Sequence, residues 1–185
     1  MSNLFIPVIL GTAREGRQSE QAARFVQQQV EAAGVSSELI DVREWGKSAT
    51  LVDWMDNADD TKPWIAKAES ADGFIIVSPE YNNLFPGELK LFLDQTLKPY
   101  ARKPAGLVGV SSGNWGGTRV VETLRQYVSR LGMVAVQPPA YFPNIGDAFD
   151  EAGEPTDPQA TEHLTPMIDD VIWYAEVLKP ARERS

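Results

Sequence analysis

The sequence predicts a three-layer α/β fold, in which helices cover both faces of a five-stranded parallel sheet. Short apolar runs alternate along the chain with longer segments whose apolar residues recur every three or four positions. The chain has 185 residues, which matches a single domain of roughly 100–200 residues. Because no linker divides the sequence, we expect residues 1–185 to form one domain.

The five strands are predicted at short aliphatic runs that turn-forming residues bound. Pro7 in the first run argues against a central position for that strand, because proline has no N–H for the ladder. The third run, Gly-Phe-Ile-Ile-Val, carries the clearest strand signal. In chain order the predicted strands span residues 4–10, 38–42, 73–77, 106–110 and 133–136.

Five helices are predicted between and after these strands. In the first helix, Ala22, Ala23, Val26 and Val30 recur at spacings of three and four, and Gly34 follows as a stop signal. In chain order the predicted helices span residues 19–33, 63–70, 87–97, 118–131 and 160–178.

Two longer connections interrupt this alternation. Residues 43–60, with Trp45 and Trp54 among acidic and small residues, are predicted to be a long connection. Residues 138–158 are rich in proline and acidic residues and are predicted to be a loop, since too little chain follows for another domain. Five strands alternating with five helices are typical of a flavodoxin-like doubly wound fold.

The composition excludes several classes of function. A net charge of −9 repels a polymer of phosphates, so we expect no nucleic-acid partner. With no cysteine and one histidine, we expect neither disulfides nor a metal site. No apolar stretch approaches the ~20 residues of a membrane span. The first residues lack the features of a signal peptide, so we expect a cytoplasmic protein.

Ligands of doubly wound sheets bind beyond the carboxyl ends of the strands. At that end of the sheet, the loop after the first strand has the composition of an anion site. Its sequence, Gly-Thr-Ala-Arg-Glu-Gly-Arg-Gln-Ser over residues 11–19, leads directly into a helix. The N-terminus of a helix attracts anions, and Arg14 and Arg17 offer charge-assisted hydrogen bonds. The loop matches neither a P-loop nor Gly-x-Gly-x-x-Gly. The alternative is that Ser19 caps the helix while both arginines are solvated.

The loops after the third and fourth strands predict a site for a flat ring. Residues 78–87 combine two prolines and two asparagines with Tyr81 and Phe85, which can cover a ring face. Residues 111–117 place three glycines around Trp115, which permits close approach of backbone to a flat ligand. A packed turn and a flexible surface loop are the respective alternatives. With the anion site, these loops specify a flat phosphorylated ligand, and FMN fits that description.

These loops resemble those of the NAD(P)H-dependent FMN reductases and the related quinone, azo and chromate reductases. Gly-Thr-Ala-Arg at residues 11–14, with Ser19, is similar to the family's Gly-Ser/Thr-x-Arg phosphate loop. Residues 79–94 resemble the signature Pro-Glu-Tyr-Asn…Pro-Gly-x-Leu-Lys-x-x-x-Asp, and the glycine pair 116–117 resembles the third loop. The resemblance spans residues 4–138.

The resemblance implies an enzyme that takes hydride from NAD(P)H onto FMN. The two electrons then pass to a small-molecule acceptor such as a quinone, free flavin, azo compound or metal oxyanion. Because the flavin carries the hydride, no side chain is expected to act as the catalytic acid or base. The resemblance also implies a homodimer or homotetramer. The implied FMN contacts are Thr12, Arg14 and Ser19 with Arg17 and Gln18 for the phosphate, Pro79, Glu80, Tyr81 and Asn82 for the ring, and Ser111, Ser112, Gly113, Trp115 and Gly116 beside it.

Two other functions remain open from the sequence. Residues 109–113 match the Gly-x-Ser-x-Gly nucleophile elbow of serine hydrolases, with Ser111 as the nucleophile and His163 after it. Four residues separate this motif from its helix and only one predicted strand follows it, which weakens the match. A flavodoxin-like electron carrier is the non-enzymatic alternative, since an acidic surface suits docking to a basic partner.

Overall fold

A computed structural model describes residues 4–45 and 61–184. The strands within them are β1 (Val8–Leu10), β2 (Leu39–Asp41), β3 (Phe74–Pro79), β4 (Pro104–Val110), β5 (Val134–Ala135) and β6 (Ala140–Phe142). They form one sheet in the order β2-β1-β3-β4-β5, and β6 also pairs with β4. Every pairing in the sheet is parallel.

The edge next to β4 is occupied by two short strands, and the strand predicted at residues 133–136 corresponds to the first of them, β5. β5 pairs with the first residues of β4, whereas β6 pairs with the last three. Pro138 and Pro139 lie between the two segments and supply no N–H, so the ladder breaks there. The prediction that residues 138–158 are all loop was therefore wrong over β6, and the described sheet has six strands.

The first strand, β1, is an interior strand of the sheet and lies between β2 and β3. The caution drawn from Pro7 was wrong, because this proline lies just before the first ladder residue of β1. Its carbonyl still accepts a hydrogen bond from the N–H of Ile75, at 3.1 Å. A proline at this place costs the sheet at most one bond.

The helices of the described residues follow the predicted pattern with three differences. A short helix, α2, occurs in the segment predicted to be a connection, and Trp54 of that segment lies outside the described residues. The helix predicted to reach residue 97 ends at Leu93, and the last helix continues to Glu183. The bounds are α1 (Ser19–Ala32), α2 (Val42–Trp45), α3 (Lys62–Ser70), α4 (Gly87–Leu93), α5 (Thr118–Arg130) and α6 (Ala160–Glu183), with a 3₁₀ turn at Lys98–Tyr100.

Buried side chains cover both faces of the sheet. On one face α1 and α6 contribute side chains such as Val26 and Val171. On the other face α3, α4 and α5 contribute Trp64, Phe92 and Leu124. This arrangement leaves the carboxyl ends of β1, β3 and β4 side by side at one edge. In the described residues no helix is long and apolar enough to cross a membrane.

Candidate functional site

A cavity of about 360 Å³ opens at the edge where β1, β3 and β4 end. Each of the three loops singled out in the sequence contributes to its wall, and the segment after β6 closes one side. The lining residues are Arg14, Glu15, Gly16, Arg17, Gln18, Ser19, Pro79, Glu80, Tyr81, Val110, Ser111, Ser112 and Ile145.

One end of this cavity carries an unsatisfied hydroxyl and an unpaired cation. Ser19, the first residue of α1, is 4% exposed, and its Oγ has no hydrogen-bond partner in the described part of the chain. No side chain caps α1, so its first N–H groups also lack side-chain acceptors. The Arg14 guanidinium lies 5.5 Å from the centre of the Tyr81 ring and pairs with no carboxylate of the described residues. These groups together fit an anion.

Arg17 lies beneath the loop and is used inside the protein. Its side chain is 3% exposed, and its guanidinium donates hydrogen bonds to Asp41 at the end of β2 and to Glu20. Burial lowers the pKa of Arg17, but the bonds to Asp41 and Glu20 outweigh it, so the pKa is raised. Although Arg17 lines the cavity, its charge is already matched by two carboxylates.

Thr12 is likewise engaged away from the cavity. Its fully buried hydroxyl donates to Oε1 of Glu88 at 2.9 Å and lies 3.2 Å from the Tyr81 hydroxyl. The same Glu88 oxygen accepts the N–H of Ala13, at 2.9 Å. Glu88 therefore fixes the start of the first loop from α4, and Thr12 is not among the lining residues.

Three residues that hold this loop were missed by the sequence analysis. From α2, Arg43 donates through Nε to the carbonyl of Ala13, at 2.9 Å. Asp41 and Glu88 bind the loop from β2 and α4. Glu88 occupies the variable position after Pro-Gly in the family motif, so its proximity to that motif was the one sequence signal that could have found it. No local signal marks Asp41 or Arg43.

The second loop is a tight two-residue turn. Asn82 and Asn83 have φ of 52° and 69°, and the backbones of Tyr81 and Leu84 exchange hydrogen bonds of 2.9 and 3.1 Å. Asparagine tolerates this left-handed conformation. Asn82 is exposed and outside the lining, and Phe85 packs on the ring of Tyr127 at 5.1 Å. Tyr81 is thus the aromatic side chain that this loop gives to the cavity.

The third loop packs directly on β4. A Cβ on Gly109 would lie 2.6 Å from the carbonyl oxygen of Gly116, and Gly117 has φ of 83°. No side chain fits between turn and strand. Of this loop, Ser111 and Ser112 line the cavity, while Gly113, Trp115 and Gly116 do not. Trp115 is 71% exposed.

The segment after β6 forms the wall that the sequence analysis missed. The N–H of Ile145 donates to the carbonyl of Ser111 at 3.0 Å, and the N–H of Ser111 donates to Phe142 at 3.1 Å. A second cavity of about 340 Å³ lies against the same segment and is lined by Asn144, Asp157 and His163 among others.

This arrangement separates the candidate groups of a serine hydrolase. The Ser111 hydroxyl donates to the carbonyl of Gly113 at 2.9 Å. His163 is exposed and faces Asp157 at 3.6 Å. Serine and histidine line different cavities, and neither bonds to the other. Within residues 4–45 and 61–184, no three His, Asp or Glu side chains are grouped so as to hold a metal ion.

Comparison with known proteins shows the family. Residues 5–147 match the model of the NADPH-dependent FMN reductases. A quinone reductase of Pseudomonas putida is 25% identical over 164 residues, which are 85% of this chain and 88% of the relative. A 2-hydroxy-1,4-benzoquinone reductase of Burkholderia sp is 27% identical over 177 residues, 90% of this chain and 93% of the relative. A 34% identical match to a quinone reductase of Pseudomonas putida KT2440 spans 50% of that protein.

Solved structures confirm the flavodoxin-like fold. FerB, a flavoenzyme NAD(P)H:(acceptor) oxidoreductase from Paracoccus denitrificans, superposes with a TM-score of 0.80 at 22% identity, covering 95% of this chain and 98% of FerB. A flavodoxin variant from Pseudomonas aeruginosa gives 0.57 at 17% identity, covering 95% and 99%. Both the matched motifs and the family model lead to one conclusion: the chain belongs to the NADPH-dependent FMN reductase family and is an oxidoreductase with FMN as cofactor and NAD(P)H as substrate.

Proposed function

We propose that the cavity at the ends of β1, β3 and β4 binds FMN, and that the enzyme passes electrons from NAD(P)H to a quinone. The observation that carries the position is that Ser19, which lines the cavity together with Arg14, has a buried hydroxyl with no hydrogen-bond partner among the described residues. The quinone class is supported by the names of the relatives from Pseudomonas putida and Burkholderia.

The phosphate of FMN fits the end of the cavity formed by residues 14–19. A buried hydroxyl without a partner costs about 1–3 kcal/mol, and a phosphate oxygen would accept its proton. The N-terminus of α1 and the Arg14 guanidinium add positive charge at the same place. We assign Arg17 and Thr12 to holding the loop, because Asp41 and Glu88 already occupy their polar groups.

The ring of FMN fits the part of the cavity between Tyr81 and residues 110–112. When bound, FMN supplies the redox chemistry, accepting a hydride from NAD(P)H and returning two electrons to the acceptor. The protein holds the ring with backbone and with Tyr81, Glu80 and Ile145. Among the described residues, the lining includes no histidine or lysine, so we assign water as the source of the proton that the reduced acceptor takes up. Asn82 and Trp115 are exposed on the two loops that border the cavity, and we assign to them contact with the acceptor.

Titration of the protein with FMN tests the position of the phosphate. We expect Arg14→Gln to weaken binding by ~1–3 kcal/mol, the scale of a hydrogen bond to a charged group, and Ser19→Ala to weaken it by ~1 kcal/mol. Arg130→Gln, an exposed arginine at the far end of α5, is the control for charge alone. Equal affinity of all four proteins would remove the phosphate from this loop.

Steady-state kinetics test the reaction. With NAD(P)H and a benzoquinone as varied substrates, we expect parallel double-reciprocal lines, because both substrates use the same open side of the cavity in turn. Absence of turnover by FMN-loaded protein would favour an electron carrier instead.

We also propose that the chain assembles as a homodimer or homotetramer. Leu84 and Trp115 are 54% and 71% exposed, on the two loops that border the cavity. Apolar surface of this kind is stabilised when a partner covers it. Light scattering of the purified protein at the mass of one chain would contradict the proposal.

A further inference from the structure

We infer that the Glu80 carboxylate, balanced in part by Arg119, sets the electrostatic potential in the ring part of the cavity and so lowers the reduction potential of bound FMN. The inference rests on the proposed position of FMN. It gives an electrostatic role to a residue that the proposed function uses only to hold the ring.

Glu80 joins three elements at the edge of the sheet. Its own N–H donates to the carbonyl of Val110 at the end of β4, at 3.0 Å. Its Oε2 accepts the backbone N–H groups of Arg119 and Val120, at 3.1 and 3.3 Å. Its Oε1 lies 3.4 Å from Nη1 of Arg119. The carboxylate therefore caps α5 from a distant loop, and Glu80 is one of the residues that line the cavity.

The cap places a full negative charge where the helix alone would present a positive end. The N-cap residue, just before α5, is Gly117, which has no side chain to cap the helix. The N-terminus of a helix carries about half a positive charge, so Glu80 more than cancels it. The Glu80 side chain is 13% exposed, whereas that of Arg119 is 60% exposed. Solvent screens the arginine more than the carboxylate, and the local balance stays negative.

The net negative charge at this end of α5 repels the negative charge that the FMN ring gains on reduction. A hydride brings two electrons and one proton, so the ring carries one additional negative charge until a second proton arrives from water. A negative charge in the wall disfavours that state relative to the oxidised ring. Bound FMN in its reduced form is therefore a stronger reductant toward the acceptor.

A purely structural cap would predict something different. In Glu80→Gln the amide oxygen still accepts the two N–H groups, but the charge is gone. In Arg119→Gln the backbone N–H remains, and only the cation is lost. An electrostatic role predicts shifts of opposite sign for these variants, whereas loosening of the loops shifts both the same way.

The experiment measures the midpoint potential of the FMN-loaded protein against a reference dye at 0.01 M ionic strength, where screening is weak. It is repeated over a range of pH, because Glu80 shifts the potential where the reduced ring keeps its additional negative charge. For Glu80→Gln we expect the ratio of reduced to oxidised FMN affinity to rise about three- to tenfold. That is about +14 to +30 mV for a two-electron couple. Arg119→Gln should lower the same ratio about twofold. Glu122→Gln removes a negative charge from a side chain that is 64% exposed on the same helix, and this variant should change the affinity ratio least.

Unfolding temperatures are recorded for all variants, so that a loss of fold is recognised. Shifts of the same sign in Glu80→Gln and Arg119→Gln, no shift in either, or an equal shift in Glu122→Gln would each overturn the inference. If Arg14→Gln and Ser19→Ala weaken FMN binding while the potentials stay fixed, only this inference fails. If those two variants bind FMN like the wild type, the proposed position itself fails.

Discussion

Replacing Asp41 by asparagine should destabilise the fold through the arginine it leaves behind. In the wild type, Arg17 is buried with Asp41 and Glu20 as its two carboxylate partners. Breaking a fully buried pair costs ~3–5 kcal/mol. The Asp41 side chain is 18% exposed and Glu20 remains in place. We therefore expect a loss of about 2 kcal/mol in the free energy of unfolding.

The pH dependence of this loss has a definite sign. Burial opposes ionisation of Asp41, but hydrogen bonds from Arg17 and from the Arg43 backbone outweigh it, so its pKa lies below the ordinary value. A carboxylate with a depressed pKa stabilises the fold above its unfolded pKa, about 3.9 for aspartate. The stabilisation is lost as pH falls through the folded pKa. The difference between wild type and Asp41→Asn should thus shrink below pH ~4.

Urea unfolding from pH 7 to pH 3 measures this difference. Asp169→Asn, an exposed aspartate on α6, serves as the control and should change stability by less than about 0.5 kcal/mol. The variant should also bind FMN more weakly, because Arg17 donates to the carbonyl of Thr12 and so fixes the loop. Equal unfolding free energies of Asp41→Asn and the wild type at pH 7 would refute the reasoning, as would a difference that stays constant down to pH 3.

Three further outcomes follow from contacts outside this network. Burial lowers the pKa of Lys103 to about 8. Between pH ~8 and ~10.4 the unfolded chain therefore binds more protons at this residue than the folded chain does, so the contribution of Lys103 makes stability rise with pH in that window. Lys103→Met should abolish this rise, whereas Lys98→Met should retain it. Gly109→Ala should cost ~1–3 kcal/mol in thermal or urea unfolding, because its Cβ meets backbone oxygens; Gly113→Ala, with open space around it, should leave stability unchanged. A fluorophosphonate probe should leave Ser111 unlabelled, and labelling detected by mass spectrometry would restore the hydrolase interpretation.

The elements of the fold could be predicted because each depends on a local pattern. The strand at β3 and the helices α1 and α5 depend on apolar periodicity and turn residues, and the structure confirms them to within a few residues. The divided edge was missed because residues 140–142 are too short a run to be distinguished from loop. They become a strand only where the end of β4 offers an unpaired ladder.

The candidate site could be located by the same reasoning, but its side chains could not be assigned. A parallel sheet brings the loops after β1, β3 and β4 to one edge, so three loops rich in turn residues marked the place. Arginines in one loop look alike in the sequence. In the structure Arg14 lies over Tyr81 and pairs with no carboxylate of the described residues, whereas Arg17 is buried against Asp41.

The sequence by itself determined the alternation of strands and helices, the family and the end of the sheet at which we propose the cofactor site. Strands and helices follow from residues that are neighbours in the chain. Their alternation imposes right-handed crossover connections between parallel strands, which bring the strand ends to one edge of the sheet. Only the tertiary structure decided which polar groups of the loops are matched within the protein. Arg17 meets Asp41 across 24 residues and Glu80 meets Arg119 across 39. The Arg17–Asp41 pair forms because folding removes both charges from water together, and that condition cannot be read from either segment alone.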